Sequence, residues 1–452
     1  MELWSETHPS VVVTDGLFNV SLGSIAGLPD YFATLRWLGI TVGNNSEMVP
    51  REQFVSVAHA YRVGTVDGAS GGYISSDIII SNKLNVGSGN TNTGSFANVH
   101  GQNNVASADY ATVSGGHLNH ARGLYSVVGG GGGPFESDSN SAIGDHSTVP
   151  GGIGNIASVD YATVGGGQYN IASGFEATVG GGVTNNASGG SATVGGGSGN
   201  SASGGAATVG GGAGNNASVD YSTVGGGLNN VASGSSAFVG GGNQNIASGL
   251  RSTVPGGSNN TASGDNTFAA GQNNTAAGDN SIALGTNVSV SADSAFAWSD
   301  GSGPLFSIGS DNTFNLKANA GFRFWTTANH GDNIGARLPA NSSAWTTLSD
   351  STRKHRYGLV DAEEVLSKVC QLPIESWSYK ADPQNYRHIS PMAQDFWNAF
   401  HLGDDSLSIS TIDPSGVLFV AVQELAKQNA AQAAEIVELK NLVQQLVTAS
   451  HR

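Results

Sequence analysis

Ser191-Ala-Thr-Val-Gly-Gly-Gly-Ser-Gly-Asn-Ser-Ala-Ser-Gly-Gly205 is one unit of a pattern that the chain repeats every 15 residues. Its valine recurs at Val149, Val164, Val179, Val194, Val209, Val224, Val239 and Val254. An asparagine follows each valine, from Asn155 to Asn260, and an alanine lies two residues further on, from Ala157 to Ala262. A fixed period with fixed chemistry means one structural unit stacked on itself. Within the unit, Ala192-Thr-Val194 and Ser201-Ala-Ser203 are β-compatible. The glycines and asparagine between them tolerate the positive φ of corners. No piece is long enough for a helix, and glycine of this density opposes one. The unit therefore predicts one coil of a narrow solenoid, with Val194 and Ala202 inside. Stacking then puts valine on valine, alanine on alanine and asparagine on asparagine in amide ladders.

Such a core is thin. Burying a valine contributes roughly 1.5–3 kcal/mol, while ordering each backbone residue costs about 1–2 kcal/mol. Packing several copies side by side is the remedy, so a homo-oligomer is expected. The pattern resembles the head repeat of trimeric autotransporter adhesins, a left-handed parallel β-roll, with related repeats in phage and bacterial tail-fibre proteins. The resemblance covers about residues 96–290 and implies three chains. Towards the N-terminal end the spacing loosens: Val113 to Val128 keeps 15 residues, but Val128 to Val149 takes 21, which predicts a loop at Gly131–Asn140. Collagen is excluded because no period of three exists. Calcium-binding nonapeptide rolls need an aspartate in every repeat, and here Asp160, Asp220 and Asp265 recur only sporadically. No metal and no cofactor is expected.

Only 12% of the 452 residues are charged, and the net charge is -16. That balance argues against nucleic acid and anionic membranes as partners. The single cysteine, Cys370, excludes an internal disulfide and reads as a buried structural thiol on a helix. No run of 18 apolar residues forms a membrane span. The start, Met1-Glu-Leu-Trp-Ser-Glu, is not a signal peptide. Either the chain is assembled in the cytoplasm and released by lysis or a machine, or its true start lies upstream.

Residues 1–72 are different material, with β-branched and aromatic runs (Ser10-Val-Val-Val-Thr14, Leu17-Phe-Asn-Val20, Trp37-Leu-Gly-Ile-Thr-Val42, Phe54-Val-Ser-Val57) separated by turn signals. They read as a small β-sandwich-like domain, and residues 35–62 resemble an N-terminal module of bacterial tail-fibre-like proteins. Its attachment partner is not legible. Residues 73–95 form a linker. Residues 291–348 read as an interleaved β-neck.

The chemistry gathers at the C-terminus. Ser349-Asp-Ser-Thr-Arg-Lys354 follows Trp345-Thr-Thr-Leu348 and precedes Leu372-Pro-Ile-Glu-Ser-Trp377 and His388-Ile-Ser-Pro-Met-Ala-Gln-Asp395. These three motifs, in order, resemble the intramolecular chaperone domain of endosialidase-type tailspikes, the peptidase S74 family. The family's Ser-Asp-x-x-x-Lys pattern maps onto Ser349, Asp350 and Lys354, and the resemblance implies self-cleavage between Leu348 and Ser349. The residues suit that chemistry. A serine hydroxyl needs a base, and a lysine can serve when burial lowers its pKa. A turn between them would bring amine to hydroxyl as a Ser-Lys dyad. The bland alternative makes Ser349-Asp350 a helix start and Lys354 a solvated charge. His388 is placed as an assisting or hydrogen-bonding residue. Ser390 and Asp395 depart from the family's usual glycine and glutamate. The domain is expected over residues 349–417.

Residues 418–452 carry a 3-4 repeat at Val422, Leu425, Asn429, Gln432, Ile436, Leu439, Val443 and Leu446, the a and d positions of a coiled coil. Asn429 and Gln432 form a polar layer that sets register. The expected whole is mainly β: a trimeric left-handed parallel β-roll solenoid with an N-terminal β domain, a β-neck, and a small α+β C-terminal domain ending in a trimeric coiled coil. It reads as an extracellular or virion/injection-machine fibre, a tail fibre or adhesin that binds a cell-surface glycan or protein receptor. An alternative is a depolymerase spike, for which a glycosidase would need two placed acids; Glu136–Asp138 is the one acidic loop in the roll. A second alternative is an uncleaved fibre with an inert dyad.

Overall fold

The computed structural model of the chain describes residues 4–14, 17–18, 20, 22, 25–26, 36–54, 80–325, 335–347 and 350–450. The chain divides into two compact units, residues 1–81 and 82–452. In the first, Val13–Thr14 pairs with Leu17–Phe18 and Arg36–Leu38 with Glu52–Phe54, both antiparallel. The Glu6 carboxylate gathers its turn by accepting the backbone N–H groups of Ile25 and Ala26, each at 3.1 Å. Of the expected strand runs, residues 10–12 and 39–42 are not in strands, and residues 55–57 lie outside the described residues.

The second unit begins as a parallel β-solenoid of about 16 turns. One ladder runs from Leu84–Ser88 through Thr193–Val194 to Phe314–Lys317. The other runs from Thr91–Asn92 through Ser201–Ala202 to Phe306–Ile308. In register, Val179 pairs with Val194 and Val194 with Val209, while Ala187 pairs with Ala202 and Ala202 with Ala217. Both Val194 and Ala202 are fully buried, as are the other repeat valines and alanines. A third ladder of single bridges, through Val183, Ser198 and Ala213, adds a side that the two-strand expectation lacked.

Each repeat asparagine is buried and holds two neighbouring coils at once. Asn200 Nδ2 donates to the carbonyls of Gly196 (2.8 Å) and Gly212 (2.9 Å). Its Oδ1 accepts the backbone N–H of Asn215 at 2.9 Å. The expected amide-to-amide ladder is thus mainly side chain to backbone, because the next coil's N–H sits directly above the amide oxygen. Glycine is required three residues after each valine. Gly197 has φ +90°, and a Cβ there would run into the carbonyl oxygen of Gly212.

Corners differ from the expectation of glycine and asparagine alone. Tyr161, Glu176, Ser191, Ala206 and Arg251 all take left-handed φ values between 53° and 61°. The strain, about 1–2 kcal/mol per residue, is offset by coil-to-coil hydrogen bonds such as Tyr161 N–H to the Asp145 carbonyl at 2.8 Å. The ladders also reach beyond the window that the valine motif marks at 96–290. In the added coils beyond residue 290, Ala297 and Ile308 take the inward positions, so the motif disappears while the stack continues. A three-stranded antiparallel sheet of Gly321–Trp325, Gly335–Pro339 and Thr346–Thr347 follows.

The C-terminal region contains helix α1 (Ala362–Gln371), a hairpin of Glu375–Trp377 and His388–Ser390, helix α2 (Ala393–Phe400) and helix α3 (Asp413–Ser450). Asp361 caps α1 by accepting the Glu364 N–H at 3.0 Å. A small core forms from Val365 of α1, Phe396 of α2, and Val417 and Ala421 of α3. Cys370, expected buried, is exposed. Val365 and Val369 define the packed face of α1, and a residue five positions beyond Val365 points elsewhere on a helix of 3.6 residues per turn.

Candidate functional site

The segment that carries the proposed dyad is built around Asp350. Its Oδ1 accepts the Thr352 N–H at 2.9 Å and the Thr352 hydroxyl at 2.8 Å. That cap starts a single 3₁₀ turn, Ser351–Arg353, and Lys354 ends it. The turn lies between Asp350 and Lys354, and Asp350 fills the capping role of the bland reading. Lys354 is exposed in the single chain. Leu348, Ser349 and the bond between them lie outside the described residues.

His388 sits on the hairpin, paired in register with Trp377, with ring centroids 4.7 Å apart. Its neighbours are aromatic rings, Trp377 and Tyr379. Ser390 has a local task that sequence reasoning missed. Its hydroxyl accepts Trp377 Nε1–H at 2.9 Å and donates to the Pro391 carbonyl at 3.0 Å, tying the hairpin to the start of α2. A glycine could do neither.

Helix α3 has two faces with separate duties. Val417, Ala421 and Glu424 are buried against the domain. Glu424 accepts there from Lys427 Nζ at 3.1 Å and from Gln428 Nε2 at 3.2 Å. The 3-4 series stands on another face and is open: Leu418, Val422, Leu425, Ile436, Leu439, Val443 and Leu446 are each about half exposed or more. Asn429 and Gln432 continue that line.

A second cluster lies on the roll, at the one coil that takes 21 residues. The inserted loop makes a 3₁₀ turn, Glu136–Asp138. Tyr169 donates its hydroxyl to Asp138 Oδ1 at 3.0 Å. Glu136 Oε1 lies 3.3 Å from Nε2 of the buried His120, whose Nδ1 is 3.5 Å from Ser141 Oγ. Burial, and then the positive charge of Arg122, pull the His120 pKa below its usual 6.5, while Glu136 opposes them. The order Ser, His, Glu looks like a hydrolytic triad, but Ser141 is itself buried and out of a substrate's reach. The cluster pins the loop down; only the odd spacing in the repeat announced it.

Among the described residues, no group of three or more His, Cys, Asp or Glu is placed to hold a metal, and no helix is long and apolar enough to cross a membrane. No curated protein matches the chain. Residues 1–51 match the model of a domain of unknown function, DUF8740. Residues 349–401 match the peptidase S74 model, described as chaperone of endosialidase, and that domain, carried behind a β-solenoid of about 16 turns, fits a tail-fibre-like protein.

Proposed function

We propose that the chain is a homotrimeric attachment fibre whose C-terminal domain aligns three copies, directs folding of the roll and then cuts itself free. One observation carries the reading: α3 leaves a long 3-4 apolar seam open on the face turned away from its own domain. An apolar stripe of that period is what a coiled coil covers. Asn429 and Gln432 interrupt it with a polar layer that costs stability and selects register. A three-chain bundle suits a roll whose single-chain core is one valine and a few small residues per coil. The fibre reading extends to a phage or other extracellular setting and to a surface glycan or protein as receptor.

The cut follows from the motif. Lys354 takes the Ser349 hydroxyl proton as Oγ attacks the Leu348 carbonyl carbon. The C–N bond then breaks, the nitrogen of Ser349 gains a proton and becomes an amine, and an ester joins Leu348 to Oγ. Water hydrolyses that ester, leaving the Leu348 carboxylate and a restored serine hydroxyl. Lys354 must be uncharged to take the hydroxyl proton, and the ammonium so formed returns that proton to the departing Ser349 nitrogen; the trimer must therefore shield an amine that the single chain exposes. The depolymerase reading has less support, since Glu136 and Asp138 of the one acidic loop are engaged with His120 and Tyr169.

Intact mass and light scattering test both halves. Wild type should yield a fragment ending at Leu348 and one starting at Ser349, with Ser349→Ala giving only the full chain. Scattering should return three subunits. Full-length mass for both proteins removes the cleavage, and the mass of one subunit removes the trimer.

A further inference from the structure

Five aromatic rings stand one above another on the outside of the first coils. Phe96, Tyr110, Tyr125, His146 and Tyr161 each lie three residues before an inward valine. Successive ring centroids are 5.2, 4.7, 5.1 and 5.0 Å apart, with planes within 16° of parallel. Phe175 ends the column edge-on, 5.7 Å from Tyr161. The fold does not require aromatics at this corner. Glu176, Ser191, Ala206, Ser236 and Asn266 hold the same position in later coils with the same left-handed φ, 53–57°. A bulky side chain is disfavoured there, so five in succession concentrate an unfavourable choice, and such choices gather where a surface works.

The chemistry of the column is specific. Rings stacked along the roll axis turn their faces to one another and their edges and phenols outward. The ring edge is the positive side of the aromatic quadrupole and meets oxygen favourably. Asp109, Asp145 and Asp160 stand beside three of the rings and are exposed. One oxygen of each accepts a backbone N–H of the preceding coil at 2.8–2.9 Å, which leaves the other to accept a hydroxyl from outside. Residues 96–176 carry six acids against one arginine, Arg122, a field that repels polyanions. A linear chain of unsubstituted hexopyranose rings advances by nearly the same step per sugar, is dense in hydroxyls and, unlike a polyuronate, carries no charge. We propose that this column is a binding track for a linear, neutral, β-linked hexose polysaccharide lying along the roll. The proposal rests on the attachment-fibre reading and deepens it by naming the surface and the ligand class.

The test is electrophoresis of the full chain through native gels containing hydroxyethyl cellulose or mixed-linkage β-glucan, with polygalacturonate as the charged control. The variant is Tyr110→Ser/Tyr125→Ser/Tyr161→Ser, since serine already occupies this corner at Ser191 and Ser236. Wild type should be retarded by a neutral polymer and not by polygalacturonate. The triple variant should bind at least ~10-fold more weakly while keeping its melting temperature. Equal retardation of both proteins, or none of wild type in either neutral gel, overturns the track. So does a variant that melts far lower, which makes the column a structural stack, or one that loses its oligomeric mass, which makes it a contact between copies. Light scattering and intact mass on the same preparation judge the fibre reading separately, so a cleaved trimer with a silent gel sinks the track alone.

Discussion

At the scale of one residue, the roll depends on its asparagines as much as on its valines. Asn200 is buried and satisfies one carbonyl of its own coil and one of the next, and the N–H of Asn215. Asn200→Ala orphans all three groups, each at about 1–3 kcal/mol, and should cost roughly 3 kcal/mol or more. Asn200→Asp should be worse at neutral pH, because an ionised carboxylate would face the carbonyls of Gly196 and Gly212. The sign then reverses with acid. A carboxyl in that position has its folded pKa raised, so the folded state binds the proton more tightly and stability returns as pH falls through that pKa. Thermal unfolding of the three proteins at pH 7.5 and 5 checks this, and an Asn200→Asp variant as stable as wild type at pH 7.5 contradicts it. The importance of this position was legible from its period. Its partners were not, since a repeat shows which residues align but not whether an amide meets an amide or a backbone N–H.

At the scale of elements, the period revealed the valine and alanine ladders and the loop at 131–140, while the third ladder stayed hidden. Its bridging residues (Val183, Ser198, Ala213, Leu228) share no side-chain chemistry, because a backbone bridge with an outward side chain places no demand on residue type. The extra coils were hidden for the related reason that alanine (Ala297) fills the valine's place and isoleucine (Ile308) the alanine's. The loop itself should be sensitive to acid. His120 is free to ionise near 6.5 when unfolded but is held below that when buried under Glu136, mainly by desolvation and then by Arg122. Below pH 6.5 the open form therefore binds more protons than the closed one. The hold on the loop is full above about pH 6.5 and is lost as pH falls towards the depressed pKa. Hydrogen exchange of the amides of residues 132–140, corrected for intrinsic rates, should show protection at pH 7.5 that declines by pH 5. His120→Gln should remove the difference between the two pH values. A wild-type loop equally protected at both would show that His120 does not latch it.

At the scale of the whole molecule, the order of parts along the chain suggests an order of events. The paired strands of the solenoid join residues about 15 apart, so no coil is stable until others have formed, and in the proposed trimer three chains out of register would trap one another. A helix such as α3 forms from local contacts and can bring three chains level before the roll begins. The C-terminal motifs were legible as a set because their order is distinctive; Lys354's exposure in one chain was not, because a motif fixes residue types and spacing but not burial. If the domain directs folding and is then removed, the mature fibre is held by its unfolding barrier rather than by a reversible equilibrium. The two forms should then differ after denaturation. Ser349→Ala, which keeps the chaperone attached, should regain its trimer mass and β-signal on dilution from guanidinium. Cleaved wild-type stalk, separated from its C-terminal fragment, should aggregate or remain unfolded under the same dilution, though both resist heat equally beforehand. Equal recovery of the two proteins would mean that residues 82–347 contain their own instructions for alignment, and that α3 with its seam serves another purpose.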